Sequence, residues 1–275
     1  MMCAWQELLN ILPGWLKTEV AKIDQQFLCE IRLRTGQPTE LYFGSNSMYL
    51  GCMATQEDLN FVVNTTSRYS PWAAKSLNQG YLTCIGGHRI GICGEVVLKD
   101  GKPAGFRAIS GVCIRVCHDV HGIGNSAAIF PGSVLILGPP GSGKTTLLRD
   151  MLRCLAEREA IAVVDERGEL FPEGFHRGKR MDVLSGCPKQ EGIDMVLRSM
   201  GPKIIAVDEI TSEGDCEALI RAGWCGVRIF ATAHASSASD LENRPIYRRL
   251  HQCGLFDHVL ILDKHRIWQE VKKVG

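Results

Sequence analysis

The sharpest chemistry in this chain lies in Gly138, Pro139, Pro140, Gly141, Ser142, Gly143, Lys144 and Thr145. They fit the spacing G-x-x-x-x-G-K-[ST], in which glycines let backbone N–H groups close around phosphate oxygens. A helix leaving the loop through Thr145 and Thr146 adds the partial positive charge of its N-terminus. Lys144 suits the β- and γ-phosphates of a nucleoside triphosphate, and the Thr145 hydroxyl suits Mg²⁺. The context agrees with the pattern, since the apolar run Val134-Leu135-Ile136-Leu137 reads as a buried strand feeding the loop.

Carboxylates at later strand ends supply the other half of such a site. Lys203–Val207 reads as an apolar strand that ends in Asp208 and Glu209. Asp208 is placed to hold Mg²⁺, and Glu209 to orient or deprotonate an attacking water. Another apolar strand ends in Asp165, Glu166 and Glu169, a rival source of the base. Both clusters fall at the carboxyl edge of a sheet, where ligands bind in open α/β folds. Ile229–Ala233 ends in His234, which together with Thr232 is suited to sensing a γ-phosphate by hydrogen bonding.

These residues need a scaffold. From residue 133 the sequence alternates strands and helices. Strands are expected at Val134–Leu137, Ala160–Val164, Ile204–Val207, Arg228–Ala231 and His258–Leu262. Helices are expected at Thr145–Glu157, Gly192–Ser199, Ser212–Ala222 and Ala238–Gly254. Continuous apolar strands between helices mean an α/β domain whose mostly parallel sheet is covered on both faces. Residues 1–121 read as a small α+β domain. Two short amphipathic helices are split by Pro13-Gly14, and strands follow at Glu30–Arg34 and Leu41–Phe43. Two helices are expected over Thr55–Asn78, a strand pair over Tyr81–Leu98, and a strand or two over Gly105–Val116. Residues 122–132, uncharged and glycine-containing, read as a linker.

Composition narrows the class. The 275 residues are long for one hydrophobic core. Residues 1–130 hold 11 Lys+Arg against 10 Asp+Glu, and residues 131–275 hold 20 against 20. That balance carries no basic footprint for nucleic acid. The twelve cysteines contain no C-x-x-C pair and are expected to be reduced core residues of a cytosolic protein. Val120–Gly143, the longest stretch free of Asp, Glu, Lys and Arg, is broken by six glycines and three prolines, so no spanning helix is expected there. No secretory leader is expected at the N-terminus.

The order phosphate loop, acidic box, Mg²⁺ strand and His box, after an α+β domain, resembles the type II, type IV and pilus-motor secretion ATPases. Leu197-Arg198-Ser199-Met200-Gly201-Pro202-Lys203-Ile204-Ile205 is similar to that superfamily's L-R-x-x-P-D-x-I-x, with Lys203 in place of the usual Asp. The closest likeness is to the stage III sporulation protein AA family, over about residues 5–270. It is carried by Glu30-Ile31-Arg32-Leu33-Arg34-x-Gly36-x-Pro38, Gly86-Gly87-His88-Arg89-Ile90-Gly91, Gly138–Asp150 and Val164–Glu169. It continues in Asp182-Val183-Leu184-x-Gly186-Cys187-Pro188-Lys189 and Val207-Asp208-Glu209-Ile210. Thr211 and Ala235 depart from the usual family residues, beyond the carboxylates and the histidine.

The resemblance implies a RecA-like phosphate-loop core with ATP and Mg²⁺ as cofactors. It implies a cytoplasmic ATPase of the mother cell in an endospore former, joined through membrane-protein partners to a secretion-like channel toward the forespore. It further implies a homo-oligomeric ring, a hexamer, in which N-domain arginines reach a nucleotide; Arg89, Arg107 and Arg115 are the positions that match. By the same resemblance the general base belongs to the acidic box, where Glu169 aligns, whereas local sequence favours Glu209; both stand. Two other readings accompany this one: a nucleotide-gated scaffold with little hydrolysis, and an ATPase acting on nucleic acid. Neutral charge and a chain ending at Gly275 weigh against the last.

Overall fold

The computed structural model describes residues 2–44, 46–67, 77–235, 237, 240, 243, 245–263 and 265–271. The chain divides into two compact units, Met1–Asp119 with Pro172–Phe175, and Val120–Phe171 with His176–Gly275.

In the first unit a short strand β1 (Met2–Cys3) pairs with β8 (His118–Asp119). Helices α1 (Trp5–Asn10) and α2 (Gly14–Val20) are split where Pro13-Gly14 breaks the chain, because proline cannot continue a helix that precedes it. The main sheet is antiparallel in the order β4-β3-β2-β7-β6-β5. Its strands are β2 (Glu30–Arg34), β3 (Pro38–Phe43), β4 (Asn46–Met53), β5 (Tyr81–Thr83), β6 (Arg89–Lys99) and β7 (Lys102–Arg115). Ile31, Leu33, Ile90, Ile92, Val112 and Ile114 turn one face inward, against Leu8, Leu12 and Leu16 and against Leu59 and Val62 of α3 (Gln56–Ser67). The second helix expected over 55–78 falls largely outside the described residues. Of the strand or two expected over Gly105–Val116, all but Val116 lies in one long strand, β7, paired with β6 through a turn in which Asp100 and Gly101 have φ of 53° and 74°. Strand β4 was not expected, since as an edge strand it is exposed almost throughout and shows no buried alternation.

In the second unit the sheet order is β11-β10-β12-β13-β9-β14-β15. It comprises β9 (Val134–Gly138), β10 (Ile161–Asp165), β11 (Met181–Ser185), β12 (Ile204–Val207), β13 (Arg228–His234), β14 (His258–Leu262) and β15 (Trp268–Val271). All neighbours are parallel except β14 and β15. Edge strands β11 and β15 were missed because their polar, half-exposed residues show no continuous apolar run. Helix α4 (Lys144–Leu155) covers one face. Its Leu147, Leu148, Met151 and Leu152 pack on Val134, Ile136, Val163, Ala206 and Phe230. Each such buried side chain contributes about 1.5–3 kcal/mol. The alternate residues Leu135, Leu137, Val164, Ile205, Val207 and Ala231 face the other layer. That layer comprises α5 (Lys189–Ser199), α6 (Glu213–Trp224) and α7 (Pro245–Gln252). The start of the helix expected over 238–254 lies partly outside the described residues. Residues 122–132, expected as a linker, pack into this unit: Ala127 and Ala128 are buried and the Gly124 N–H donates to Asp150. Free cysteines also depart from expectation, with Cys216 buried but Cys29, Cys52, Cys93, Cys225 and Cys253 exposed.

Candidate functional site

Parallel strands put their carboxyl ends on one edge, and their register gathers the chemistry there. Gly138 ends β9 opposite His234 of β13, Val207 ends β12 opposite Ala231, and Val164 pairs with Val207 one residue before Asp165.

The loop after β9 is shaped by its glycines. A Cβ on Gly138 would lie 2.5 Å from the Leu262 carbonyl oxygen and 2.7 Å from Ser142 Oγ, so the turn closes only with glycine. Gly143, at φ 98°, caps α4 in a conformation glycine adopts without strain. Pro139 and Gly143 are half-buried, Pro140 and Gly141 are exposed, and Ser142 is buried. Lys144 begins the helix, followed by the half-buried Thr145 and Thr146.

A polar network joins the loop to the strand ends. Lys144 Nζ donates to the Pro139 carbonyl at 2.9 Å and lies 3.1 Å from His234 Nδ1. An ammonium only donates, so Nδ1 accepts and the ring proton sits on Nε2. That nitrogen is 3.2 Å from Glu209 Oε1, and Arg167 Nη1 approaches the other Glu209 oxygen at 3.9 Å. Thr145 Oγ1 lies 3.0 Å from Asp208 Oδ2, and Thr232 Oγ1 donates to Asp208 Oδ1 at 2.8 Å. The Glu209 N–H lies 2.9 Å from Thr232 Oγ1 and 3.1 Å from Asp208 Oδ1, which holds Glu209 at a φ of 37°. Such a conformation costs on the order of 1–3 kcal/mol outside glycine and is found where a site requires it.

The acidic strand ends beside this network. Asp165, Glu166, Glu169, Lys189, Asp208 and Glu209 line one cavity of about 20 Å³, room for a single water. Lys189 Nζ pairs with Glu166 Oε2 at 2.7 Å. Burial lowers the affinity of the Lys144 ammonium for its proton, opposed by the charges of Asp208 and Glu209. Burial pushes Asp165 above the ordinary carboxylate value, against the three backbone N–H groups it accepts from Phe171, Leu170 and Glu169.

The residues fit a Mg²⁺-bound nucleotide. Ser142 Oγ is buried without a hydrogen-bond partner, and a phosphate oxygen would supply one. Gly141 has open space where a side chain would stand. Thr145 and Asp208 are hard oxygen donors, which Mg²⁺ takes alongside phosphate oxygens and waters. Among the described residues no cluster of three or more His, Cys, Asp or Glu forms a metal cage of its own.

The three arginines lie on the sheet of the first unit. Arg89 sits over the Tyr81 ring at 4.2 Å, and Arg115 is its cross-strand neighbour, with Glu30 next in the row. Arg107 pairs with Glu95 at 2.8 Å on the exposed part of the β6–β7 hairpin.

A family model described as sporulation stage III, protein AA, matches residues 4–274. The chain belongs to that family. Stage III sporulation protein AA of Bacillus subtilis (strain 168) is 36% identical over 279 residues, covering 94% of this chain and 91% of that protein. Among solved structures, the Legionella pneumophila ATPase DotB is similar with a TM-score of 0.64 at 17% identity, covering 94% of this chain and 80% of that one. The pilus retraction motor PilT with bound ADP is similar with a TM-score of 0.64 at 16% identity, covering 88% and 76%. The fold is thus that of the RecA-like secretion ATPases.

Within this family member, sequence reasoning identified the phosphate loop, Asp208, Glu209, Glu169, Thr232 and His234, and the structure brings them to one edge. It did not assign a role to Lys189, Arg167 or Arg149. Lys189 carried a usable signal, a lone cation following Pro188 at the start of the helix after β11. Arg149 gave none, because a basic residue within a helix reads as a solvated one.

Proposed function

We propose that this protein is a Mg²⁺-dependent ATPase that powers assembly or transport through a secretion-like channel between mother cell and forespore. The observation that carries the reading is the join between the phosphate loop and two loaded strand ends: Thr145 on Asp208, and Lys144 through His234 to Glu209. Thr145 and Asp208 would hold Mg²⁺, which when bound offsets charge on the transferring phosphoryl group. Lys144 and the loop N–H groups bind and orient the phosphates. Glu209 accepts a proton from water in the adjoining cavity, and Glu169 on the same cavity orients that water. His234 holds the Glu209 carboxylate in place while its other nitrogen faces Lys144.

Family membership supports the sporulation role, and the likeness to the ATPase DotB and the pilus retraction motor PilT supports a motor. By that likeness the protein works as a homo-oligomeric ring, a hexamer, in the mother-cell cytoplasm. Among the described residues no helix is long and apolar enough to cross a membrane, so membrane-protein partners would supply the channel. Arg89, Arg107 and Arg115 belong to this proposal as donors to nucleotide charge, a task the always-charged planar guanidinium performs better than lysine. The functional division at 1–121, 122–132 and 133–275 belongs to it as well.

Binding of a fluorescent ATP analogue with Mg²⁺ tests the site. Saturable binding to the wild type that Lys144→Ala weakens at least tenfold supports it. Equal binding by both proteins rejects it.

A further inference from the structure

The acidic loop after β10 is held by its backbone from two sides. From one side the Asp165 carboxylate accepts three successive N–H groups: Glu169 at 3.0 Å, Leu170 at 3.0 Å and Phe171 at 2.8 Å. From the other side the Arg149 guanidinium donates through Nη2 to the Glu169 carbonyl at 2.8 Å and through Nε to the Leu170 carbonyl. Both jaws are buried, Arg149 at 3% exposure and Asp165 at 1%. Leu170 and Phe171 are also sunk in the core beneath α4. Of the loop side chains on the cavity shared with Asp208 and Glu209, Glu166 and Arg167 are exposed and Glu169 is half-buried. Of these three, Glu169 is the one whose own N–H and carbonyl are both held by the jaws.

The position of Arg149 in its helix gives the clamp its meaning. Thr145 and Arg149 are four apart in α4, so they project from one face. The face that sets Thr145 against Asp208 also sets Arg149 against the acidic loop. A buried guanidinium spanning two consecutive carbonyls fixes direction as well as distance, because its N–H fork is planar and rigid.

We propose that Arg149, with Asp165 as the opposing jaw, is the positioning residue that aims Glu169 into the water cavity from the phosphate-loop helix. It touches no reacting atom and acts through the loop backbone. The proposal rests on the ATPase reading above and assigns Glu169 its source of alignment. A carboxylate displaced by about 1 Å costs on the order of 100-fold in rate, whereas nucleotide binding at the loop is untouched.

The test uses the full chain, with kcat, KM for ATP and ADP affinity measured for Arg149→Met, Arg149→Lys, Glu169→Gln and the Arg149→Met/Glu169→Gln double variant. Arg149→Met is expected to lower kcat by about 10- to 100-fold with KM and ADP affinity unchanged. Arg149→Lys, whose ammonium cannot fork across two carbonyls, should fall between it and wild type. The double variant should be no slower than Glu169→Gln alone, since a misaimed group that is already absent costs nothing further. Amide hydrogen exchange at 169–171 should rise in Arg149→Met. Wild-type kcat in Arg149→Met, or losses that multiply with Glu169→Gln, would overturn the assignment. If Arg149→Met does not fold, Arg149→Lys and Asp165→Asn carry the same comparison, and an unchanged kcat in both overturns it. A wild-type chain without Mg²⁺-dependent hydrolysis would instead reject the ATPase reading itself.

Discussion

Thr145 Oγ1 lies 3.0 Å from Asp208 Oδ2 although 63 residues separate them in sequence. The contact spans β13, which separates β9 from β12 in the sheet, and Thr232 of that middle strand donates to the same carboxylate. Three consecutive sheet positions thus contribute one polar layer over an otherwise apolar sheet. A part-buried layer of this kind, with Thr232 fully enclosed, is costly unless its members are satisfied. Here the hydroxyls satisfy Asp208 while leaving it able to face a cation.

Asp208→Asn removes the charge and keeps the shape. Hydrolysis at saturating Mg²⁺ should fall about 100- to 1,000-fold, the loss seen when one electrostatic contact to a transition state is deleted. The melting temperature should change little. Steady-state phosphate release across a Mg²⁺ titration reads this directly, and unaltered turnover would remove Asp208 from the metal site.

Glu209 and Glu169 share one cavity but not one role. Glu209→Gln should lower kcat by about 10²–10⁴-fold, as loss of a general base does. Glu169→Gln should lower it by about 10- to 100-fold, as loss of an orienting contact does. ADP affinity should survive both. Single-turnover hydrolysis ranks the two, and the reverse order would transfer the base to Glu169.

His234 stands between Lys144 and Glu209, so His234→Ala should cut kcat by about tenfold or more while ATP still binds. Parallel loss of affinity and turnover would make His234 a binding residue instead.

How much of this was readable beforehand differs between the two units. β9, β10, β12, β13 and β14 are built on apolar runs, and β9, β10, β12 and β13 lead into the phosphate loop, Asp165, Asp208 and His234, so both their type and their functional ends were legible. Edge strands β4, β11 and β15 were not, because a half-exposed strand mixes polar and apolar residues without a buried run. Residues 122–132 lacked any periodic signal, and their packing depends on tertiary contacts such as Gly124 with Asp150. Arg149 is a basic residue that sequence logic assigns to solvent, and its burial is decided by the carbonyls that the fold delivers.

The first unit contains a pH-sensitive lock. Buried His88 accepts the Cys117 N–H on Nδ1 at 3.1 Å and lies 2.9 Å from the Ala4 carbonyl through Nε2, an arrangement only the neutral ring makes. Burial holds its pKa below the ordinary 6.5, with the Ala4 carbonyl and Glu7 opposing and His118 adding to the shift. The unfolded chain therefore takes up a proton below about pH 6.5 that the folded one refuses, and stability present above that pH is lost as the pH falls through the folded value. Urea midpoints at pH 7.5 and 5.5 should drop further for wild type than for His88→Gln. Equal drops would place the pH sensitivity elsewhere.

Hydrolysis of ATP as a function of protein concentration, with Lys144→Ala as the control, tests the central claim most directly. A ring ATPase predicts Mg²⁺-dependent specific activity that rises steeply with concentration in wild type and is absent from Lys144→Ala. Equal phosphate release from both proteins would contradict it, showing that the loop, however well it fits a nucleotide, does not drive turnover.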